Sequence, residues 1–305
     1  TYCMPAEGWP LIERTGLLSL EELARVIRVF AGLGVERVRL TGGEPLVRRG
    51  VVDLVREIAQ TPGIQQVAMT TNAHLLARHA QGLWDAGLRG LNVSLDTFDP
   101  ERFATITRGG DVAKVIEGIQ AAQAVGFTDI KINAVALDRL NGDDAPALVE
   151  GCWANGWLPR FIEVMPIGSL VEQRRDRLTS EQVFDRISRV HPLRWLERTN
   201  TPNGPARYAV VTEGPEAGQR VGFISPMSDH GFCSTCNRVR LTARGGFRPC
   251  LADDHEVSLL QAIRDGATDE SLAGLIRQGL AGKLEAHHLR TPTRAPVSTM
   301  TGIGG

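Results

Sequence analysis

The chain has 305 residues, of which 42% are hydrophobic and 23% are charged, and its formal net charge is −1. This composition is typical of a globular protein with a sizeable core, and it excludes an extensively disordered chain. The near-neutral charge excludes bulk attraction to nucleic acid or anionic lipid, and no apolar run reaches the roughly 18–20 residues of a membrane-spanning helix.

Helix and strand patterns alternate along the first half of the chain. Ser19 and Glu22 form a capping box ahead of apolar residues at helical spacing, which predicts a helix that ends near Gly32. Periodicity and turn residues then predict strands at 37–40, 66–71, 91–95, 130–137 and 160–164, and helices at 51–59, 76–86, 112–125 and 145–154. This alternation predicts a parallel sheet with right-handed crossovers.

Polar residues stand at the ends of several predicted strands. They are Thr41, Thr70–Asn72, Ser94–Asp96 and Glu163. In parallel α/β folds the carboxyl ends of the strands form the ligand face. The pattern therefore predicts an incomplete barrel with its site at that edge.

The sequence changes character near residue 192. Short strands are predicted at 194–196, 208–211 and 221–224, followed by a cysteine cluster and a helical pair within 258–280. We therefore predict two domains, a partial barrel at 1–191 and an α+β region at 192–305.

Five cysteines, an odd number, argue against a disulfide framework and favour a reduced, cytoplasmic setting. The opening residues also lack the pattern of a secretory signal. Cys233, Cys236 and Cys250 are spaced to hold one metal centre, and the spacing alone leaves structural zinc, with His230 as a fourth ligand, open beside an iron–sulfur cluster. Two arginines directly after Cys236 favour a site for an anionic ligand, because guanidinium groups bind phosphate in two places.

The Thr41-Gly42-Gly43-Glu44-Pro45 segment follows the first predicted strand. It is either a tight turn or a place where backbone amides approach a ligand while Glu44 accepts from an ammonium group. Lys131, on an otherwise apolar strand, is either half of a structural ion pair or a ligand-binding cation.

Together these segments resemble a radical S-adenosylmethionine enzyme and, more narrowly, the GTP 3′,8-cyclase family of molybdenum-cofactor synthesis. The resemblance covers essentially the whole chain. It is carried by the segments Tyr2–Pro5, Leu40–Leu46, Asn92–Asp96, Arg160–Glu163, Met165–Pro166, Phe232–Leu241, Arg248–Leu251 and Gly304–Gly305. The two cysteine segments and the terminal double glycine are specific, whereas the Gly-Gly-Glu-Pro turn is shared by many radical enzymes.

The resemblance implies an incomplete (β/α)6-type TIM barrel whose first strand is missing from this chain, followed by an α+β region with a second iron–sulfur site. It implies that a radical derived from S-adenosylmethionine takes hydrogen from C3′ of GTP, and that this carbon then adds to C8, giving 3′,8-cyclo-7,8-dihydro-GTP. The expected cofactors are two 4Fe–4S clusters and S-adenosylmethionine. The expected partners are an electron donor and, downstream, cyclic pyranopterin monophosphate synthase, while a homodimer stays open.

The resemblance also assigns residues by position. S-adenosylmethionine is expected at Tyr2, Gly43, Ser94 and Met165. GTP is expected at Arg39, Thr70, Lys131, Arg238, Val239 and Arg240, with Arg160 as a further cation. The first cluster would use Cys3, and the second would use Cys233, Cys236 and Cys250. The cofactors carry the chemistry, with Arg238, Arg240 and the Gly304–Gly305 tail in support.

One departure from the family is serious. Two cluster cysteines should precede Cys3, and both are absent from the sequence, together with the first barrel strand and a GTP-contacting arginine. We expect a preceding stretch to supply them, since a chain that truly began at Thr1 would lack radical chemistry. A smaller departure is Ala73, where the family commonly has glycine.

Three alternatives stay open at this point. The chain could be another radical S-adenosylmethionine enzyme with an auxiliary cluster that acts on a peptide, which would leave the cations without an obvious use. It could be a zinc-stapled, non-catalytic binding protein, or a degenerate relative that binds GTP without turning it over.

Overall fold

A computed structural model describes residues 13–167, 176–197, 204–234, 236–287 and 289. Within those ranges every helix is too short or too polar to span a lipid bilayer.

The strands of the described ranges form two sheets. Their bounds are β1 Arg37–Leu40, β2 Gln66–Thr71, β3 Gly90–Ser94, β4 Asp129–Val135, β5 Leu158–Ile162, β6 Leu193–Trp195, β7 Arg207–Val211, β8 Arg220–Ile224, β9 Arg240–Leu241, β10 Gly246–Arg248 and β11 Val257–Ser258. The larger sheet has the order β1-β2-β3-β4-β5-β8-β7-β6, and the smaller has the order β11-β10-β9.

Six neighbouring strands of the larger sheet are parallel. β1 to β5 follow one another in chain order, and β8 adds to β5 in the same direction. β7 and β6 then continue the sheet as antiparallel strands. This confirms the predicted α/β class and incomplete barrel. The sheet also continues across residue 191, because β5 and β8 lie on either side of the predicted domain boundary.

Helices cover the outer face of the sheet. Their bounds are α1 Leu20–Gly32, α2 Val51–Ala59, α3 Leu76–Asp85, α4 Pro100–Thr107, α5 Val112–Ala124, α6 Asp138–Asn141, α7 Ala145–Ala154, α8 Ser180–Ser188, α9 Leu259–Arg264 and α10 Asp269–Ala281. The predicted capping box of α1 is present, with both the Ser19 and the Glu22 hydrogen bonds formed.

Three of these helices, α4, α6 and α8, were not predicted, although α4 and α8 carry start signals. The Asp99 side chain caps α4 and Pro100 follows at the first helical position. Thr179 and Gln182 form a capping box at the start of α8. Both helices are short, so their apolar periodicity alone is a weak signal.

Helix α1 contributes to two hydrophobic cores. Ala24 and Ile27 pack into the main core between the helices and the larger sheet. Val29 and Phe30 pack into a second core with α9, α10 and the smaller sheet, where the rings of Phe30 and Phe247 lie 5.6 Å apart. Because one helix serves both cores, the C-terminal region is held beside the β1 edge of the barrel.

Candidate functional site

Alternation along the parallel strands divides their side chains between two faces. In β4 the buried positions Ile130, Ile132 and Ala134 alternate with half-buried Lys131 and Asn133. The strand pairs place Thr70 beside Asn92, Asn92 beside Lys131, and Asn133 beside Arg160. The second face of the sheet, turned away from the helices, is therefore polar.

Arg160 lies at the centre of this polar face and is only 3% exposed. Its Nε donates to Asn133 Oδ1 at 2.9 Å, and its Nη2 donates to Asn92 Oδ1 at 2.6 Å. Burial lowers the pKa of Arg160, while a hydrogen bond with Tyr208 opposes that shift. A charged group held this deeply by neutral partners favours a bound anion.

Gly222 makes room for this arrangement. It pairs with Arg160 on β5 and with Tyr208 on β7, so it lies between the two side chains. A methyl group built on Gly222 would come within 2.9 Å of Arg160 Cγ and 2.8 Å of Tyr208 Cε1. The absence of a side chain at Gly222 of β8 is thus what lets Arg160 and Tyr208 meet.

Arg39 and Lys131 extend the positive charge across the face. Partial burial and, after it, the neighbouring charges of Arg160 and Arg238 together lower the pKa of Arg39 to about 10, although part of its side chain is exposed. Burial also lowers the pKa of Lys131, which forms an ion pair with Asp129. The ion pair that the sequence left open for Lys131 is therefore present. Its role as a ligand-binding cation stays a prediction.

Arg238 and Arg240 join the same group from the C-terminal region. Burial lowers the pKa of Arg240 to about 10, and the charge of Arg238 adds to the shift, while Cys250 and Cys236 oppose it. Arg240 therefore lies within electrostatic range of two of the predicted cluster ligands. Five cations therefore lie in one region, an arrangement that suits a highly charged anion: Arg39, Lys131, Arg160, Arg238 and Arg240.

The three C-terminal cysteines lie partly buried beside these arginines. Cys236 N donates to Cys233 O at 3.0 Å, which closes the turn between the two thiols. Burial alone would raise the pKa of Cys236, but the Arg238 backbone and side chain and the charge of Lys283 lower it below its ordinary value. Within the described ranges, no group of three or more His, Cys, Asp or Glu side chains is close enough to hold a metal ion. The chemistry of the donors fits an iron–sulfur cluster, because the three thiols are free and partly buried and the positive charges of Arg238 and Lys283 act on Cys236.

Cys152, in contrast, belongs to the core. It lies on α7 with no exposed surface, and burial raises the pKa of its thiol. Such a cysteine is inert.

The glycine turn after β1 combines an open side with a fixed side. Gly42 has a φ of 145°, and a methyl group on Gly43 would meet nothing within 4 Å. The Glu44 carboxylate accepts from Leu46 N at 3.0 Å, and also from the end of β2, through Thr71 Oγ1 at 2.8 Å and Asn72 N at 2.7 Å. Glu44 thus fixes the turn, while the glycines leave backbone accessible.

The remaining predicted residues occupy the same end of the strands. Ser94 ends β3 opposite Asn133, and Thr70 is 3.4 Å from Asn92 through its Oγ1. Met165 packs against the small cluster of Ile167 and Leu289, against which Leu251, the neighbour of Cys250 in sequence, also packs. Val239 packs its side chain against the second core, so its backbone is the part available to a ligand.

Sequence reasoning missed the role of Glu163, which it noted only as a polar strand end. This carboxylate is 4% exposed and accepts from Ser180 N at 2.7 Å, Met227 N at 3.0 Å and Ser228 N at 3.0 Å, besides the Ser228 hydroxyl. It ties the end of β5 to α8 and to the segment that leads into Cys233. No local sequence signal indicates such partners, because they lie 17 to 65 residues away.

Several predictions fall on residues outside the described ranges. These are Tyr2, Cys3, Gly304 and Gly305.

Comparisons with known proteins point to one family. The Radical SAM superfamily matches residues 1–151, and Molybdenum Cofactor Synthesis C matches residues 159–289. The chain is 43% identical to GTP 3′,8-cyclase of Moorella thermoacetica and 47% identical to GTP 3′,8-cyclase 1 of Pseudomonas aeruginosa. These matches cover 100% of this chain and 92% and 91% of the relatives, respectively.

Among solved structures, Streptococcus suis SuiB bound to S-adenosylmethionine matches with a TM-score of 0.54 at 17% identity. The match covers 85% of this chain and 64% of that chain. At that identity the likeness shows a shared fold.

Proposed function

Because the chain belongs to the GTP 3′,8-cyclase family of radical S-adenosylmethionine enzymes, we propose that its five convergent cations hold the triphosphate of GTP. The enzyme converts GTP to 3′,8-cyclo-7,8-dihydro-GTP, the first step of molybdenum-cofactor synthesis. The observation that carries the proposal is the crowding of like charge, which a polyanion would relieve. Beyond the larger effect of burial, Arg160 and Arg238 lower the pKa of Arg39, and Arg160 and Arg39 lower the pKa of Lys131.

As a radical S-adenosylmethionine enzyme, the protein uses that cofactor and a 4Fe–4S cluster, which together supply the radical that takes hydrogen from C3′ of GTP. The protein's own part is to orient the substrate and exclude water. We assign the GTP contacts to Arg39, Thr70, Lys131, Arg160, Arg238, Val239 and Arg240. Arg39 and Lys131 reach the triphosphate from the barrel side, and Arg238 and Arg240 reach it from the C-terminal side.

The S-adenosylmethionine site is proposed at the other strand ends. Its contacts are Tyr2, Gly43, Ser94 and Met165. The open side of Gly43 supports this, because backbone groups there can approach a ligand closely. Cys3 would be a ligand of the first cluster.

A second 4Fe–4S cluster is proposed on Cys233, Cys236 and Cys250. The positive charge of Arg238 and Arg240 beside the thiols supports it, since thiolates are the form that binds iron. Within this proposal the Gly304–Gly305 tail reaches the active site. Deleting both glycines should then lower cyclase activity, and full activity in that variant would contradict it.

We further propose the partners, the compartment and the assembly of the enzyme. An electron donor must supply the reducing equivalent, and cyclic pyranopterin monophosphate synthase acts on the product. Thiols that ligate clusters must stay unpaired, which suits a reduced cytoplasm. A homodimer is one possible assembly, which the mass of the anaerobic protein in solution would decide.

The cation assignment is tested by GTP binding, measured calorimetrically on the anaerobic holoenzyme. Arg240→Ala and Arg39→Ala should each weaken GTP binding by about 10- to 100-fold, the loss expected of one charge-assisted interaction. Arg277→Ala is the matched control, because its side chain is 61% exposed on α10. Unchanged GTP affinity in both test variants would contradict the assignment.

Iron, sulfide and zinc per chain separate the alternatives. About eight irons with matching sulfide are expected for two 4Fe–4S clusters. Zinc in place of iron on the C-terminal thiols would instead favour a structural staple. Binding of a peptide in preference to GTP would favour the other class of radical enzyme.

A further inference from the structure

Lysine is rare in this protein. Of 34 Lys and Arg residues, three are lysines: Lys114, Lys131 and Lys283. Lys114 is exposed on α5 and Lys131 belongs to the cation group described above. Lys283, two residues after α10, is the third, and it reaches the cysteine turn.

The Lys283 ammonium group faces three acceptors of that turn. Nζ lies 2.8 Å from Arg238 O, 3.5 Å from Cys236 O and 3.7 Å from Cys236 Sγ. An ammonium group has three N–H donors that can be aimed at three separate acceptors. A guanidinium group is planar, and its rigid fork suits a carboxylate better than three acceptors arranged around a point.

We propose that Lys283 is a positioning residue for the C-terminal cluster, fixing the Cys236–Arg238 backbone and donating to the Cys236 sulfur. The inference rests on the second cluster of the proposed function. Lys283 is not among the residues assigned to GTP, and its contacts are with Cys236 and Arg238, so we expect its effect to pass through those two residues.

Two consequences follow for a cluster held by Cys236. The sulfur receives a second charged donor from Arg238 Nη2, at 3.8 Å. Hydrogen bonds to ligating sulfurs and nearby positive charge stabilise the reduced cluster, which raises its reduction potential. Lys283 also donates to the carbonyl oxygen of Arg238, a residue assigned to GTP. The same ammonium group therefore helps to position both a cluster ligand and a substrate contact.

The test compares three variants of the anaerobic full-length holoenzyme. Lys283→Met removes the charge and keeps most of the stem, Lys283→Arg keeps the charge, and Lys114→Met is the control on an exposed helix. Each protein is measured for iron per chain, for the electron paramagnetic resonance spectrum of the reduced clusters and for their midpoint potentials. Circular dichroism and thermal unfolding check that the variants are folded.

In Lys283→Met we expect either loss of iron from about eight toward about four per chain, or full iron with a changed second-cluster spectrum and a more negative midpoint. Lys283→Arg should keep the iron and shift the midpoint less, and Lys114→Met should match the unmodified enzyme. If Lys283→Met does not fold, Lys283→Gln takes its place in the comparison.

Two negative results have different meanings. Full iron with an unchanged spectrum and midpoint in the folded Lys283→Met variant would overturn the inference while leaving the second cluster in place. About four irons in the unmodified enzyme, with no second cluster signal, would instead overturn the proposed second cluster on which the inference stands.

Discussion

Gly222 is the residue on which the packing of the polar face depends most directly. A side chain there would press on Arg160 Cγ and on the Tyr208 ring, both closer than 3 Å to the added carbon. We expect Gly222→Ala to lower the free energy of unfolding by about 1–3 kcal/mol, the usual cost of overpacking, and to weaken GTP binding. Urea unfolding and calorimetric GTP titration measure the two effects.

Gly274→Ala is the matched control for that substitution. Gly274 lies in α10, and a methyl group there would meet nothing within 4 Å. Alanine should therefore stabilise the helix by about 0.5–1 kcal/mol. If Gly222→Ala behaved like Gly274→Ala, the close approach of Arg160 and Tyr208 would not matter for stability or binding.

The pKa values of Arg39 and Arg240, each lowered to about 10, predict a pH dependence of anion binding. Below about pH 9 both groups carry their charge, so they add no pH dependence. As the pH rises through about 10, Arg39 and Arg240 lose their protons in the free protein. Binding of a polyanion then requires the two groups to take up protons again. Affinity should therefore fall as the pH increases from about 9 to about 11.

Inorganic tripolyphosphate is a suitable probe for this effect, because it lacks the guanine base, which has a titration of its own. The dissociation constant of tripolyphosphate should rise steadily between about pH 9 and about pH 11 in the unmodified enzyme, and less steeply in Arg240→Ala. A dissociation constant that stayed flat up to pH 11 would contradict the assignment of these guanidinium groups to the triphosphate.

At the scale of elements, Glu163 connects β5, α8 and the segment before the cysteine turn. Glu163→Gln places an amide N–H₂ among backbone N–H donors that now point at a carboxylate. We expect a loss of about 1.5–3 kcal/mol in the free energy of unfolding, together with reduced iron retention on the C-terminal thiols.

Glu181→Gln changes an exposed carboxylate on α8, so it serves as the control and should stay within about 0.5 kcal/mol of the unmodified protein. Guanidinium unfolding and iron analysis on the same preparations make the comparison. Equal stability and equal iron content in Glu163→Gln and Glu181→Gln would show that the carboxylate does not hold the segment.

Elements with strong local signals could be predicted from the sequence, and elements defined by partners could not. β1, β2, α2 and α7 begin and end where periodicity and turn residues predict. The position of β8 next to β5 has no local signal, since it follows from a pairing between residues about sixty positions apart. The site residues divide in the same way, into those with a local sequence signal and those defined by distant partners.

Residue types and spacing pointed to Arg238, Arg240, the C-terminal cysteines and Lys131, because charge and thiol chemistry are visible in the sequence, whereas Arg39 was assigned by the family resemblance. Lys283 and Glu163 were not singled out for such roles. Each acts through atoms of a distant segment, and a lone lysine after a helix, or one glutamate at a strand end, is ordinarily a solvated surface residue.

At the scale of the whole molecule, the stability of the barrel depends on the C-terminal region, because β6, β7 and β8 complete its sheet beside β5. Phe161 on β5 packs against Phe223 on β8, with ring centroids 6.2 Å apart, and Phe184 on α8 stacks on Trp195 on β6 at 4.6 Å. A fragment of residues 1–191 loses β6, β7 and β8 and exposes those aromatic faces. We expect it to be insoluble or to lack a cooperative thermal transition.

Co-expression of residues 192–305 should rescue the fragment, which distinguishes a missing partner from a damaged chain. A soluble 1–191 fragment that unfolds cooperatively on its own would contradict this prediction and would make residue 191 a true domain boundary.

The position of β8 also sets the order in which the protein can assemble on the ribosome. β5 emerges early, yet its parallel neighbour is synthesised only after the whole of residues 163–219. Until then β5 presents an unpaired edge, and closing so long a loop onto a parallel strand is slow. Arg160 likewise stays hydrated until Gly222 and Tyr208 arrive. The cation group is therefore completed late in translation, and the nascent chain cannot hold nucleotide before most of it has left the exit tunnel.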